Sequence, residues 1–283
     1  MSEGTLFIVA TPIGNLGDLS PRARDVLAAV DLVAAEDTRV TGRLLSHFGI
    51  ATKLTALHEH NEESKAPSLI EALKSGKSVA IVSDAGTPLV SDPGYRVVRL
   101  ARDAGLTVSP VPGPSAAVAA LSVSGLPTDR FAFEGFLPAR KAARRERLGV
   151  LRSEVRTLVF FESVHRVAEA VADLADAFGA DRAAYIGREI SKLHEQCVTA
   201  SLSELTAMLA DGRIPLKGEF VIVTAGATDA AGDDRAAAAA ETLLRELIAV
   251  LPGRQAVDIV ARATGAGRNE LYQRMLALKT ENS

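Results

Sequence analysis

A short apolar run followed by a turn-rich loop decides the fold: Ser78-Val79-Ala80-Ile81 leads into Val82-Ser83-Asp84-Ala85-Gly86-Thr87-Pro88-Leu89-Val90-Ser91-Asp92-Pro93-Gly94. The run is typical of a buried strand. A strand that ends in a Gly/Pro loop presents backbone amides at the carboxyl edge of a sheet, where open α/β folds bind ligands. The loop carries two aspartates and no lysine or arginine, so it does not suit a phosphate. It favours a ligand that is neutral or cationic near the strand ends.

Strand and helix signals alternate on both sides of this loop. Apolar runs predict strands at 5–10, 32–35, 53–57, 78–82 and 106–109. Helices are predicted between them, at 20–30, 41–48, 67–76 and 95–104, with another at 116–123 after the last strand. The helix at 67–76 is expected to open at Pro67, since proline favours the first helical turn. This alternation indicates a mostly parallel sheet with crossover helices.

A second α/β region follows Gly125-Leu126-Pro127-Thr128. Its strands are predicted at 130–134, 156–161, 183–189 and 220–224, and its helices at 140–153, 165–178 and 202–210. Residues 228–234 have the composition of a linker, and three short helices are expected at 236–250, 255–264 and 269–278. We therefore expect an N-terminal α/β domain over 1–125, a mixed α/β domain over 126–227, and a linker with a small helical tail over 228–283.

Composition bounds the class of protein. The chain has 283 residues, of which 47% are hydrophobic and 4% aromatic, so the core must consist mainly of Ala, Val, Leu and Ile. The single cysteine, Cys197, excludes a disulfide framework. No apolar run reaches the length of a membrane span, and the start of the chain does not resemble a signal peptide. We expect a cytoplasmic protein without membrane or metal partners.

Several familiar motifs are incomplete in this sequence. Gly76-Lys77-Ser78 resembles the end of a nucleotide-binding P-loop, but Glu71 stands where the first glycine is required. No Gly-x-Gly-x-x-Gly opens a helix after a strand. His58 and His60 have no obvious third metal ligand nearby, which favours a solvated or substrate-lining loop over a metal site.

Eight sequence blocks, taken together and in order, resemble one family. They are Thr11–Asp18, Ala35–Arg39, Leu57–Glu62, Val82–Gly94, Pro112–Ala116, Ser124–Thr128, Phe133–Pro138 and Arg188–Glu195. The chain is thereby similar, over about residues 5–225, to the bacterial 16S ribosomal RNA (cytidine-2′-O)-methyltransferases of the tetrapyrrole methylase class. The short tail resembles that family's C-terminal helical piece.

The resemblance implies a homodimer that binds S-adenosylmethionine between two α/β domains and methylates the ribose of a decoding-site cytidine in 16S ribosomal RNA. The implied cofactor contacts come largely from backbone and apolar groups. They fall on Pro12, Gly86, Thr87, Val90, Ser115, Ala116, Phe161, Glu162, Gly187 and Arg188, and the residues themselves add Asp84 as a candidate contact.

Methyl transfer to a ribose oxygen needs alignment and a proton acceptor, but no metal. Glu36 and Asp37 end a strand at the edge that carries the cofactor loop, so either could accept the proton or bind the ribose. The alternative is that they cap the next helix or pair with Arg39 and Arg43. His58 is a third candidate base. Asp84 and Asp92 either hold the cationic end of the cofactor or stabilise the loop through Asx turns.

RNA binding calls for a basic surface in a protein whose net charge is −3. Residues 140–156 contain seven basic and two acidic side chains, a local excess of +5. The RNA-binding candidates are Arg39, Arg140, Lys141, Arg144 and Arg145. In the tail, Gly265–Arg268 resembles a helix-turn-helix turn, although a packing cap or dimer element is the favoured interpretation.

Three other functions remain as alternatives: methylation of a tetrapyrrole or a modified protein side chain, an RNA-binding module without activity, and a phosphoryl transferase. The basic segment argues against a small neutral substrate such as a tetrapyrrole. The Gly/Pro loops at strand ends are not needed by a module that only binds RNA. The incomplete P-loop argues against a phosphoryl transferase.

Overall fold

The computed structural model describes the backbone of residues 4–227 and 229–281, and the side chains of 4–227 and 239–278. Residue 228, in the predicted linker, lies outside the described residues. The adjoining backbone from Asp229 is helical, so the prediction of a linker over 228–234 is wrong for 229–234.

The first sheet is five-stranded and entirely parallel, in the order β3-β2-β4-β1-β5. Its strands are β1 (Thr5–Val9), β2 (Leu32–Ala35), β3 (Leu54–Ala56), β4 (Val79–Val82) and β5 (Thr107–Val111). Its helices are α1 (Pro21–Ala29), α2 (Thr38–His47), α3 (Glu62–Lys74), α4 (Tyr95–Asp103) and α5 (Ala116–Val123). The parallel sheet predicted from the alternating pattern is confirmed.

Local sequence signals explain most of these boundaries. Ser20 caps α1, because its hydroxyl accepts a hydrogen bond from the Ala23 backbone N–H and Pro21 occupies the first helical position. The expectation that Pro67 opens a helix is wrong. It lies inside α3, which begins five residues earlier at Glu62, where two acidic residues suit the positive end of the helix dipole.

The second sheet is also five-stranded but mixed, in the order β6-β7-β10-β8-β9. Its strands are β6 (Phe131–Phe136), β7 (Thr157–Ser163), β8 (Ala183–Arg188), β9 (Gln196–Ser201) and β10 (Glu219–Thr224). Only β6 and β7 pair in parallel. The accompanying helices are α6 (Lys141–Leu151), α7 (Val167–Phe178) and α8 (Leu202–Ala210). Strand β9 was not predicted from the sequence.

Aliphatic side chains form the cores on both faces of the first sheet, as the composition predicts. One cluster contains Leu6, Leu69 and Ile81, and the other Val9, Leu27 and Val82. In the second sheet, Val159, Tyr185 and Val223 pack against the buried alanines of α5. The two sheets belong to one compact unit formed by residues 1–149 and 157–225.

The second compact unit comprises residues 150–156 and 226–283. It contains α9 (Asp229–Ile248), α10 (Gly253–Thr264) and α11 (Arg268–Glu281). These helices share a core of Leu244, Val257, Val260, Leu271 and Met275. Gly265 ends α10 in the left-handed conformation that favours glycine, with φ of 74°. The three helices predicted for the tail are confirmed. No helix among the described residues is long and apolar enough to cross a membrane.

Candidate functional site

The carboxyl ends of β2 and β4 bring Glu36 and Asp84 together. These strands are neighbours in a parallel sheet, so the residues that follow them emerge at the same edge. The backbone N–H of Asp37 donates to Asp84 Oδ1 at 3.0 Å, and the backbone N–H of Asp84 donates to Glu36 Oε2 at 3.3 Å. Each carboxylate is therefore held by the backbone of the other strand end.

The loop between β4 and α4 is fixed at its start by a short β-bridge. The backbone N–H of Thr11 donates to the Gly86 oxygen at 2.9 Å, and that of Gly86 donates back at 3.0 Å. Thr87 Oγ1 donates to the Pro114 oxygen at 3.1 Å. Leu89 and Ser91 hold left-handed backbone conformations, with φ of 72° and 66°. Such conformations persist only where the surroundings fix the chain, and they cluster at ligand sites.

This loop forms one wall of a cavity of about 560 Å³ between the two sheets. The size lies within the range of about 300–1,000 Å³ typical of small-molecule sites. From the first α/β region its lining residues are Ile13, Glu36, Asp84, Ala85, Gly86, Thr87, Val90, Ser91, Asp92, Ser115 and Ala116. From the second α/β region they are Phe136, Phe161, Glu162, Ser163, Val164, Gly187, Ile190, Gly218, Glu219, Phe220 and Val221.

The cavity is acidic. Its described lining contains five carboxylates and no lysine, arginine or histidine. Glu162 pairs with Arg166 at 3.0 Å and Glu219 with Lys192 at 2.9 Å, whereas Glu36 and Asp92 have no cation within ion-pair distance among the described residues. This surface suits a ligand that carries positive charge.

Burial and mutual repulsion perturb these acids. Burial raises the pKa of Glu36, and the neighbouring Asp84 carboxylate adds to the rise. Burial likewise raises the pKa of Asp84. Burial raises the pKa of Asp92 to about 6; a hydrogen bond from Ser83 opposes the rise, and the nearby Glu36 and Asp84 carboxylates add to it. A carboxyl whose pKa is shifted toward neutrality is a candidate proton acceptor.

Asp37 has a different environment from Glu36. Its Oδ1 accepts from the Arg39 backbone N–H at 2.8 Å, which caps α2. Its Oδ2 lies 2.6 Å from the Arg39 guanidinium. The Arg39 hydrogen bonds hold the pKa of Asp37 well below its usual range. The sequence left catalysis and helix capping open for this pair. The structure places Asp37 in the capping role and Glu36 in the cavity.

Aromatic rings and glycines form the wall from the second sheet. Phe133 and Phe161 pack edge to face with centroids 4.9 Å apart. A Cβ atom on Gly187 would lie 2.6 Å from Ile190 Cδ1 and 2.7 Å from the Tyr185 hydroxyl oxygen, so a larger residue there would displace these side chains.

A contact beside the cavity joins the two halves. Ser191 Oγ donates to Asp18 Oδ2 at 2.5 Å, and Ser191 is left-handed with φ of 69°. The aliphatic stem of Lys192 packs over Gly14, where a Cβ atom would lie 2.3 Å from Lys192 Cγ. The Lys192 ammonium binds Glu189 and Glu219. These contacts fix the separation between the cavity walls.

The structure brings most of the predicted cofactor residues together. Nine line the cavity: Asp84, Gly86, Thr87, Val90, Ser115, Ala116, Phe161, Glu162 and Gly187. Two do not. Pro12 lines a neighbouring cavity, and the Arg188 guanidinium donates to the backbone oxygens of Lys217 and His194. His58 also lies outside the lining, and its Nδ1 is buried without a hydrogen-bond partner.

The basic segment, residues 140–156, was interpreted from the sequence as an RNA-binding surface, but part of it is paired with acids inside the fold. Arg144 is 1% exposed and donates to Asp173 at 2.7 Å and to Glu169 at 3.1 Å. It cannot contact RNA phosphates in this conformation, so its prediction as an RNA-binding residue is wrong. Arg145 is half-exposed but pairs with Asp173 and Asp176. The local excess of +5 is therefore largely offset by the acids of α7.

Arg140 and Lys141 remain exposed at the start of α6, and neither pairs with a described carboxylate. Arg39 is 86% exposed while bound to Asp37. RNA binding by these three residues stays a prediction.

Sequence reasoning missed part of the lining. Ile13, Ser91 and Phe136 were not singled out, nor was the start of β10 at Gly218–Val221. The left-handed Gly218, with φ of 86°, leaves space that the Glu189 side chain fills. Lys217-Gly218 indicates a turn in the sequence. Only the antiparallel pairing of β10 with β7 and β8 places this turn at the cavity.

Comparison with known proteins identifies the fold. The family model "Tetrapyrrole (Corrin/Porphyrin) Methylases" matches residues 5–206. The chain belongs to the tetrapyrrole methylase family. A second model, "RsmI C-terminal HTH domain", matches residues 234–279, which include most of the described tail. The resemblance drawn from the sequence blocks is confirmed, as is the fold class of two α/β regions with a C-terminal helical segment.

Relatives of this tetrapyrrole methylase are similar over almost their full lengths. "Ribosomal RNA small subunit methyltransferase I" of Xylella fastidiosa is 53% identical over 275 residues, covering 96% of this chain and 98% of the relative. The protein of the same name from Pseudomonas aeruginosa is 50% identical, covering 98% of both chains. That from Escherichia coli O157:H7 is 48% identical, covering 96% and 94%.

Solved structures share the fold at lower sequence identity. A diphthine synthase superposes with a TM-score of 0.61 at 18% identity, covering 78% of this chain and 90% of that one. A uroporphyrin-III C-methyltransferase from Thermus thermophilus, crystallised with S-adenosyl homocysteine, gives 0.54 at 20% identity, covering 78% and 97%. These likenesses support the tetrapyrrole methylase architecture alone.

Proposed function

We propose that this protein transfers the methyl group of S-adenosylmethionine to the ribose 2′-oxygen of a decoding-site cytidine, cytidine 1402, in the 16S ribosomal RNA of the small subunit. The observation that carries the proposal is the match, at about half identity over nearly the whole chain, to proteins named ribosomal RNA small subunit methyltransferase I. The acidic cavity supplies a site at which the reaction can occur.

The cavity fits the cofactor. S-adenosylmethionine, when bound, would supply a methyl group on a sulfonium, and the neutral thioether of S-adenosylhomocysteine would be the leaving group. The carboxylates of Glu36, Asp84 and Asp92 favour such a cation, and Phe161 offers an aromatic face. The left-handed Gly86, with φ of 82°, exposes the loop backbone to the ligand.

Two properties of the protein would accelerate the transfer. The rigid loops hold the reacting atoms in line, which can lower the barrier by roughly 7–11 kcal/mol. Glu36 would accept the hydroxyl proton, since it lines the cavity without a paired cation and burial raises its pKa. A general base adds about 10²–10⁴-fold. No step needs a metal, and no cluster of metal-binding side chains occurs among the described residues.

RNA would approach from outside the acidic cavity. The exposed Arg140, Lys141 and Arg39 are the candidate phosphate contacts, because backbone phosphates dominate RNA affinity and bind arginine and lysine. The tail, which matches a helix-turn-helix domain model, is a further candidate for RNA contact. A ribosomal substrate places the protein in the cytoplasm.

We also propose a homodimer, as the sequence resemblance implies. The exposed face of α5 supports it, because Val118 and Val123 are 58% and 56% exposed there. Analytical ultracentrifugation of the full chain should give twice the monomer mass, and Val118→Glu should shift the equilibrium toward monomer. A monomer at micromolar concentration would contradict the dimer.

The direct test offers labelled S-adenosylmethionine with small subunits that lack the modification, and in parallel with uroporphyrinogen III. We expect label on the subunits alone. Transfer to the tetrapyrrole alone would favour the activity named for the Thermus structure and would contradict the proposal. Transfer of label to neither substrate would also contradict the proposal.

A further inference from the structure

A second cavity, which we call the side cavity, lies against α2 and next to the acidic cavity. Its volume is about 360 Å³. Its lining residues are Thr11, Pro12, Gly14, Leu16, Val40, Thr41, Arg43, Leu44, His47, Ser83 and Asp84. Asp84 lines both cavities, so a ligand that extends from one into the other must pass this residue.

The side cavity is amphipathic. Pro12, Leu16 and Leu44 give it an apolar surface, and Leu16 is 41% exposed. Arg43 and His47 give it a basic edge. They are four residues apart on α2 and so share one face of the helix, as does Arg39 one turn earlier. Apolar and cationic groups side by side suit a ligand with a flat ring and an anionic group.

The basic side chains of the side cavity are available. Arg43 and His47 are exposed, and neither lies within ion-pair distance of a carboxylate among the described residues. This separates them from Arg39, which Asp37 binds at 2.6 Å, and from Arg144 and Arg145, which the acids of α7 neutralise.

The two cavities favour ligands of opposite charge. The carboxylates of Glu36, Asp84 and Asp92 repel a phosphodiester, although the target ribose must reach them. The RNA chain on either side of that ribose must therefore leave the acidic cavity toward positive charge. The side cavity shares a wall with the acidic cavity and carries the unpaired basic side chains of Arg43 and His47.

We propose that the side cavity binds the nucleotide adjacent to the target ribose. The base packs on Leu16 and Leu44, and the phosphate receives hydrogen bonds from Arg43 and His47. This subsite rests on the proposed function, since it assumes an RNA substrate.

The test measures filter binding of small subunits lacking the modification, at several salt concentrations. Arg43→Ala should weaken binding by about tenfold, the loss expected for one charge-assisted hydrogen bond. It should also make the slope of log K against log salt shallower by about 0.7 to 0.9, since one phosphate contact is lost. Leu16→Ala should weaken binding with the slope unchanged, because the contact it removes is apolar.

The matched control is Arg102→Ala on α4, an exposed arginine that lines neither cavity. It should leave affinity and slope at wild-type values. Calorimetry with S-adenosylmethionine should give the same affinity for all four proteins, which shows that each variant is folded.

The outcomes separate the two proposals. If the wild type methylates subunits but Arg43→Ala binds them with wild-type affinity and slope, the subsite is wrong and the proposed function stands. If the wild type transfers no methyl group to subunits, the proposed function fails and the subsite fails with it.

Discussion

At the residue scale, two adjacent acids with different surroundings should have separable roles. Glu36 lines the acidic cavity, whereas Asp37 caps α2 and binds Arg39. Glu36→Gln should lower kcat by about 10²–10⁴-fold with an unchanged melting temperature, since it removes a proton acceptor. Asp37→Ala should instead lower the melting temperature, because α2 loses the side chain that caps it.

Single-turnover methyl transfer and thermal unfolding on both variants check this prediction. The assignment of the base to Glu36 is contradicted if Glu36→Gln retains full activity. An equal loss of activity without a loss of stability in Asp37→Ala would contradict the division of roles.

The raised pKa of Asp92 should appear in cofactor binding. Burial raises that pKa to about 6, so the side chain is largely protonated at pH 5 and ionised at pH 7. The ionised form attracts a cation, so the affinity for S-adenosylmethionine should increase as pH rises through about 6 and level off above it. Calorimetry from pH 5 to pH 8 measures this change.

The neutral variant Asp92→Asn is the control for that titration. It should bind more weakly than wild type at pH 7 and should show a flatter pH dependence. A wild-type affinity that is constant across this range would show that Asp92 does not act on the cofactor.

At the element scale, α6 combines a structural arginine with exposed cations. Arg144 and Asp173 are 1% and 3% exposed and form a 2.7 Å pair between α6 and α7. Removal of one partner of a buried pair leaves an uncompensated charge, at a cost of about 3–5 kcal/mol. Arg144→Ala should therefore lower the free energy of unfolding, whereas Arg140→Ala with Lys141→Ala should lower only RNA affinity.

Denaturant unfolding and filter binding on these variants test the difference. If Arg144→Ala unfolds at the wild-type denaturant concentration yet loses RNA affinity, Arg144 belongs to the RNA surface after all.

The elements also show what a sequence can and cannot predict here. Glu36 and Asp84 could be placed together because each follows an apolar run, and parallel strands end at one edge. The partners of Arg144 could not be foreseen, since Asp173 lies 29 residues away and only the packing of α7 brings it near. Strand β9 escaped prediction because its mixed sequence, Gln196–Ser201, becomes a strand by pairing with β8.

At the scale of the whole molecule, charge is partitioned between surfaces. The acidic cavity between the sheets favours a cationic methyl donor, while exposed cations lie outside it on α2 and at the start of α6. A net charge of −3 conceals this arrangement. Membership in the tetrapyrrole methylase family accounts for the cavity, and the position of the cations is what fits an RNA substrate.

The central claim is that the methyl group goes to a ribose oxygen of small-subunit RNA. The most direct measurement incubates wild-type protein and Glu36→Gln with S-adenosylmethionine and unmodified small subunits, and then maps methylation along the 16S RNA by resistance to alkaline hydrolysis. We predict one new resistant linkage, at the decoding-site cytidine, with wild-type protein, and a strongly reduced signal with Glu36→Gln. Methylation of a base, of a ribose elsewhere, or of no nucleotide would contradict the account.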